Sequence, residues 1–316
     1  MKIVEKLRDA LTPADKNPRK SAKGFFFVAK EAVKSWNAHD PFRQSAVIAY
    51  YAIFSLPALL VVITTVAGAV FGKDEVMERI SEQIGETMGA GTGEQIETMV
   101  AKAGETKDSR IATIIGVATI IFGATGVFAQ LQKTLNIIWG VKITEKKKML
   151  KMLKDRLFSF GLVLSVAFML LISFVFSSAL TSLSDIIESW FSEGAVVLVF
   201  ILNFIISSAI IAVLFALMFK ILPDVAIGWR DVIMGSIVTA VLFSLGKIAL
   251  SIYFGKSQPD ETYGAAGSII LILLWVSYSG MIFFYGAEFT KQNWLARRGK
   301  VIAGPGADTI SEECEV

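Results

Sequence analysis

The side chains best placed to do chemistry lie inside the most apolar stretches of the chain. From Tyr263 onward, 25 residues pass without a charge before the chain reaches Glu288. Tyr278, Tyr285 and Glu288 are seven and three residues apart, so a helix places two phenols and a carboxylate on one face. The same face is completed by Leu271, Leu274 and Met281. Because these polar groups would be wasted on lipid, we expect the face to point at protein.

Lys247 is the one cation well inside another apolar stretch, at residues 232–254. Its helical face also carries Ser236, Ala240, Ser244 and Ser251. An unpaired cation at the centre of a membrane helix costs about 2.5–3.5 kcal/mol on insertion scales. We therefore expect Lys247 to be paired or hydrated in a polar cavity. The alternative is a side chain that snorkels outward to the lipid headgroups.

A third apolar stretch, at residues 111–141, changes character along one helical face. The face begins with small residues that let another helix approach closely, namely Ala112, Gly116, Thr119, Gly123 and Gly126. The next positions of the same progression are Gln130 and Lys133. The sequence thus predicts a tightly packed half followed by a polar half. Lys133 either lines a polar path or snorkels to the headgroups.

Six apolar stretches must position these groups. About 20 apolar residues cross a hydrocarbon core of about 30 Å, and a backbone in lipid must satisfy its own hydrogen bonds, which favours helices. With 54% hydrophobic residues and a mean hydropathy of +0.60, the composition is that of a polytopic membrane protein. The predicted fold is all-α, with membrane-spanning helices at residues 45–72, 111–141, 157–183, 195–219, 232–254 and 263–290.

The charges of the loops orient these spans. Residues 142–156 hold seven Lys or Arg against two acidic residues, whereas residues 73–108 are mostly acidic. By the positive-inside rule, the basic loop is cytoplasmic and the acidic loop is external. Both termini are then cytoplasmic. The predicted regions are a cytoplasmic segment at 1–44, a six-helix membrane domain at 45–290, and a cytoplasmic, disordered tail at 291–316.

An amphipathic helix is predicted before the first span. Its apolar stripe consists of Phe25, Ala29, Ala32, Val33 and Trp36, with lysines to the side. The helix either lies on an anionic membrane surface or packs on the cytoplasmic ends of the bundle. His39, the only histidine, follows in an exposed corner and is expected to be a helix-end residue rather than a ligand or a base.

The first span carries a predicted hinge and a polar stripe. Pro57 removes one backbone hydrogen bond and should kink the helix. Tyr51 and Ser55 continue one face from Gln44, near the cytoplasmic end of the span.

Four stretches of the chain resemble the YihY/virulence factor BrkB family. They are AVIAYYAIFSLPALL in the first span, GVFAQLQKTLNIIW in the second, the LP…W turn before the fifth, and YGAAGSIILILLWVSYSGMIFFYGAEFT in the sixth. The likeness extends over roughly residues 20 to 300. It implies a multi-pass protein of the bacterial inner membrane, regarded as a transporter and formerly mislabelled ribonuclease BN. No catalytic role comes with the resemblance.

Three classes of function compete. A nuclease needs metal carboxylates or a histidine-based acid and base, and the chain has one Cys and one peripheral His. We therefore expect no enzyme, no metal site, no cofactor and no nucleic-acid partner. A membrane scaffold or partner-docking protein of the envelope accounts for the small-residue faces. A transporter or lipid translocase for an anionic, amphipathic substrate also accounts for the inward polar groups, and is the preferred hypothesis.

In this hypothesis an anion passes between Lys133 and Lys247, and Glu288 exchanges a proton near the cytoplasmic mouth. The predicted path is lined by Lys247, Gln130, Lys133, Tyr278, Tyr285, Glu288, Tyr51 and Ser55. The expected partners are membrane lipids and the substrate itself. The sequence leaves open whether a homo-oligomer or an envelope partner protein is also involved.

Overall fold

The fold is built from long α-helices. The computed structural model describes residues 22–88, 92–93, 96–98, 100–101, 110–143, 194–257, 265–299, 301, 303–304 and 307–309. The predicted third span, 157–183, lies outside these residues, as does most of the basic loop. The helical fold class expected from the apolar stretches is confirmed.

The described ranges contain seven long helices and two short strands. In chain order they are α1 (Ala22–Ala38), α2 (Pro41–Phe71), α3 (Lys73–Met88), α4 (Arg110–Trp139), β1 (Val141–Ile143), α5 (Gly194–Ile221), α6 (Trp229–Ser257), α7 (Ala265–Arg298) and β2 (Ala307–Thr309).

Backbone chemistry explains why α1 and α2 are separate helices. Asp40 has a left-handed φ of 51°, which no helix accommodates. Pro41 then occupies the first turn of α2, where its missing N–H is not needed. α2 ends at Gly72, whose φ of 93° favours glycine and whose N–H donates to the carbonyl of Gly68. A sharp turn therefore joins the amphipathic helix to the first predicted span.

The helices coincide closely with the predicted spans that fall in the described ranges. The largest difference is in α7, which continues eight residues beyond the predicted end at Thr290. Two segments of the described chain are long and apolar enough to cross a membrane, Trp229–Phe254 and Ile269–Arg298, and a shorter apolar helix lies at Ile205–Ile221. The count of six spans and the three predicted regions stay predictions.

The chain divides into two compact units. Unit 1 comprises the described residues within 1–32, 138–241 and 286–316, and unit 2 comprises those within 33–137 and 242–285.

In unit 1 the C-terminal segment pairs with two loops. β2 is antiparallel to β1, with Val141 opposite Thr309 and Ile143 opposite Ala307. A further bridge joins Val225 to Ala303, and the N–H of Gly304 donates to a loop carbonyl, that of Asp224, at 2.7 Å. The tail was expected to be disordered, and this expectation is wrong for residues 303–304 and 307–309.

In unit 2 the predicted external loop contributes to an apolar core. The buried centre of this core consists of Leu60, Ile96, Phe254, Leu271 and Ile272. Residues of α3 pack against it, among them Met77, Ile80 and Ile84. The acidic interval is therefore amphipathic, with one face on the core and its carboxylates outward. Besides α3, the described residues between 92 and 101 are helical.

Candidate substrate site on α6 and α7

Gly246 of α6 lies so close to Tyr278 of α7 that no side chain fits between them. A Cβ at position 246 would lie 2.5 Å from Cε1 and 2.6 Å from the hydroxyl oxygen of Tyr278. The rings of Phe243 and Trp275 meet edge to face in the same unit, with centroids 5.9 Å apart. Since Lys247 follows Gly246 directly, the phenol rests against the backbone that carries the lysine.

The two sides of α6 differ in exposure and in chemistry. One side presents a stripe of exposed apolar residues, namely Met234, Ile237, Val241, Leu245, Ile248 and Ile252. The other side carries the polar strip that contains Lys247. In that strip Ser236 and Ala240 are buried, and Ser244, Lys247 and Ser251 are half-buried. The lysine therefore flanks the packed side of the helix rather than the centre of the exposed apolar stripe.

Lys247 is not neutralised by the described part of the protein. Neither an ion pair nor a hydrogen bond to this side chain is found among the residues that the structure describes. A half-buried lysine in an apolar helix retains its charge where water or an anion reaches its ammonium group. The arrangement can thus bind an anion, with Tyr278 as a neighbouring hydroxyl donor.

Tyr285 lies against α1 in unit 2. The indole Nε1 of Trp36 donates to the carbonyl of Met281 at 3.0 Å, and the indole ring meets the Tyr285 ring edge to face at 6.4 Å. A buried indole normally finds such a partner. The amphipathic helix therefore packs on α7 through Trp36, which agrees with one of the two placements expected for it.

Gln130 belongs to a polar network between α2 and α4. Its Nε2 donates to Oε1 of Gln44 at 2.7 Å and to Oγ1 of Thr134 at 3.3 Å. The Thr134 hydroxyl in turn donates to the same Gln44 oxygen at 3.1 Å. Gln44 and Thr134 are buried. The contacts give Gln130 a role in helix packing that does not depend on a substrate.

The remaining residues predicted in the first two spans are placed individually. The Tyr51 ring fills the space beside Gly126, where a Cβ would lie 2.3 Å from its Cδ1. Lys133 is exposed. α2 continues through Ser55 and Pro57, whose side chains lie outside the described set, so the hinge stays a prediction.

Glu288 is in unit 1, whereas the other predicted path residues are in unit 2. Its side chain is fully buried. It lies within a close crossing of α6 and α7, in which Gly235 faces Thr290 and Gly286 faces Thr239. The two threonine hydroxyls donate to the carbonyls of their own helices, each at 2.7 Å. This crossing is of the small-residue kind that joins membrane helices.

A buried, paired charge among the described residues of unit 1 was not predicted from the sequence. Asp231 is buried and accepts hydrogen bonds from Arg297 at 3.0 Å and from Arg298 at 3.4 Å. The Arg298 guanidinium also lies 4.4 Å from the ring centroid of buried Trp294. This pairing could have been predicted from an acidic residue at the start of α6 and two basic residues at the end of α7. Within the described ranges no cluster of His, Cys, Asp or Glu able to hold a metal is found.

A family model described as Virulence factor BrkB matches residues 32–301. The chain belongs to the virulence factor BrkB family. The resemblance seen in the sequence motifs is thereby confirmed.

Relatives of this BrkB-family protein are named UPF0761 membrane proteins. One from Saccharophagus degradans is 27% identical over 258 residues, which is 81% of this chain and 57% of the relative. One from Teredinibacter turnerae is 25% identical over 263 residues, which is 83% of this chain and 59% of the relative. The BrkB-family chain thus spans less than two thirds of these relatives. No solved structure matches it. With its family and its apolar helices, this is a membrane protein.

Proposed function

We propose that this BrkB-family protein moves an anionic, amphipathic molecule, such as a lipid with an acidic headgroup, across the bacterial inner membrane. The proposal rests on the surroundings of Lys247. This lysine is half-buried in an apolar helix, the described protein supplies no counter-charge, and the phenol of Tyr278 packs against the adjacent Gly246. A mobile anion is the simplest group to compensate this charge.

The proposed route has two positively charged binding positions. Exposed Lys133 attracts the anionic headgroup, and Lys247 holds it inside the membrane, where the phenol of Tyr278 donates a hydrogen bond. Tyr285 and Tyr51 line the route, and Glu288 exchanges the proton that accompanies the anion. Hydrolysis and RNA cleavage have no part in the proposal.

The proposed topology has six spans with both termini in the cytoplasm. The charge difference between the basic loop at 142–156 and the acidic interval at 73–108 supports it. A Glu78→Cys variant on a Cys314→Ser background tests it, because Glu78 is exposed on α3. A membrane-impermeant thiol reagent should label this cysteine in intact spheroplasts. Labelling only in inverted vesicles would show that the topology is the reverse of the one proposed.

A membrane scaffold is the second candidate function. It is favoured by the α2–α4 network, where Gln44, Gln130 and Thr134 satisfy one another without a ligand. A scaffold has no need for a charge without a partner, and Lys247 has none among the described residues, so the two candidates differ at Lys247.

The test uses purified protein in vesicles that contain a fluorescent acidic phospholipid. Wild type should increase the rate at which the lipid becomes accessible to an external quencher. Lys247→Met removes the charge but keeps length and apolarity, and should abolish this increase while the yield of folded protein stays normal. Lys247→Arg keeps a charge and should retain part of the activity. Equal movement by wild type and Lys247→Met would refute the transport role of this residue.

No movement of any acidic or neutral lipid by wild type would favour the scaffold.

A further inference from the structure

α1 has two chemically different sides. Its inner side is buried and consists of Gly24, Val28 and Ala32. Its outer side is exposed and contains Phe26, Phe27, Lys30, Val33 and Lys34. Phe26 is the extreme case, with 74% of its surface exposed. Of the stripe predicted from sequence, Ala32 is buried, whereas Phe25 and Val33 are exposed.

The contacts of α1 fix which side faces outward. In unit 2, Trp36 donates its hydrogen bond to Met281 of α7. In unit 1, the Phe25 ring lies 5.3 Å from the Phe289 ring. Within unit 1, Phe26 and Phe27 are exposed beside the Phe25 contact. The outer side thus remains open for a partner.

The composition and the position of the outer side favour a lipid surface as that partner. Exposed phenylalanines beside lysines are typical of helices that lie in the membrane interface, where rings enter the acyl boundary and ammonium groups meet phosphates. α1 is joined by the short turn at His39 and Asp40 to α2, the first predicted span. This connection brings the outer side to the level at which the chain enters the membrane.

We propose that the outer side of α1 is a binding surface for anionic phospholipid headgroups in the leaflet where α2 begins. Phe26, Phe27 and Val33 insert among the acyl chains near the headgroups, and Lys30 and Lys34 bind the phosphates. The surface shares no residue with the Lys247 site, and the proposal holds whether or not the protein transports lipid.

Spin labelling of the full chain tests the insertion. A Phe26→Cys variant and a Glu78→Cys variant are labelled on a Cys314→Ser background and reconstituted in vesicles of phosphatidylcholine and phosphatidylglycerol. The label at position 26 should collide with oxygen more than with a water-soluble nickel chelate, and the label at exposed position 78 should show the reverse. Equal chelate access at both positions would place the surface in water, and low access to both reagents at position 26 would place it against protein; either result overturns the proposal.

The role of the lysines is tested by titrating phosphatidylglycerol into the labelled protein in a neutral detergent. Each lysine near an anionic surface is expected to contribute about fivefold in affinity. A Lys30→Gln and Lys34→Gln double variant should therefore bind phosphatidylglycerol about 25-fold more weakly, whereas a variant of exposed Lys73 on α3, Lys73→Gln, should bind like wild type. Unchanged affinity in the double variant would refute phosphate binding by these lysines.

Discussion

Asp231 and Lys247 are charged residues of the same helix, α6, yet their surroundings differ. The Asp231 side chain is 2% exposed, and both of its carboxylate oxygens face guanidinium groups at the end of α7. Lys247 is half-buried and has no charged partner in the chain described. Among the described residues, Asp231 has charged partners and Lys247 has none.

The difference separates a structural charge from a functional candidate. Breaking a buried ion pair is costly because it leaves a stranded charge, so Asp231 should control stability. Removing a cation that has no partner among the described residues should relieve a cost, so Lys247 should matter for ligand binding and little for folding. The glycines of the two regions show the same contrast. Gly235 and Gly286 lie against threonines whose hydroxyls are bonded within their own helices, whereas Gly246 lies against the phenol of Tyr278.

The largest effect is expected for Asp231→Asn. It leaves Arg298, which is mostly buried, without its carboxylate, and should lower the free energy of unfolding by about 3 kcal/mol. Thermal unfolding in detergent measures the change. Arg297→Gln is the matched control, because the Arg297 side chain is 55% exposed and a pair of this kind contributes about 1 kcal/mol or less. Equal losses in the two variants would contradict a buried role for Asp231.

A smaller loss of stability is expected for Gly286→Ala. The added Cβ would lie 1.8 Å from the Thr239 hydroxyl oxygen and 3.0 Å from the Phe219 ring, so the helices must separate. Overpacking of this kind costs about 1–3 kcal/mol. Combining Gly286→Ala with Thr239→Gly removes the obstructing side chain and should recover part of the loss. A single variant as stable as wild type would show that the crossing is looser than described.

The smallest effect on stability, with a clear effect on transport, is expected for Gly246→Ala. Here the added Cβ meets the outer end of the Tyr278 ring, which can turn aside at a cost of about 1 kcal/mol or less. The phenol then moves away from Lys247, and lipid movement in vesicles should fall. The comparison with Gly286→Ala is informative because the chemical change is the same. If both variants lost stability alike and transport stayed normal, the two regions would be equivalent.

The sequence predicted the helices well because apolar stretches mark membrane-spanning segments by length alone. The sequence predicted less well which side of each helix is buried. Leu274 shares a face with buried Glu288 yet is 45% exposed, because apolar side chains of membrane helices face lipid as readily as protein. The predicted end of α7, at Thr290, was too early. The apolar stretch ends there, whereas the helix continues to Arg298.

Contacts between distant parts of the chain were beyond sequence reasoning. The pairing of β1 with β2 joins residues 141–143 to 307–309 through backbone groups, which carry no residue-specific signal. The Trp36 bond to Met281 is likewise made to a backbone carbonyl. By contrast, Gln44 and Gln130 were both identified as polar residues on helix faces, and only their partnership was missing.

Cysteine accessibility can show whether Lys247 faces a hydrated, anion-accepting site, as proposed, or faces lipid. Lys247→Cys and Ile248→Cys are prepared on a Cys314→Ser background and treated in vesicles with a water-soluble, anionic thiosulfonate. Ile248 is 52% exposed on the apolar stripe of α6 and serves as the lipid-facing control. The account predicts labelling at position 247 and none at position 248. No labelling at 247, or equal labelling at both positions, would contradict it.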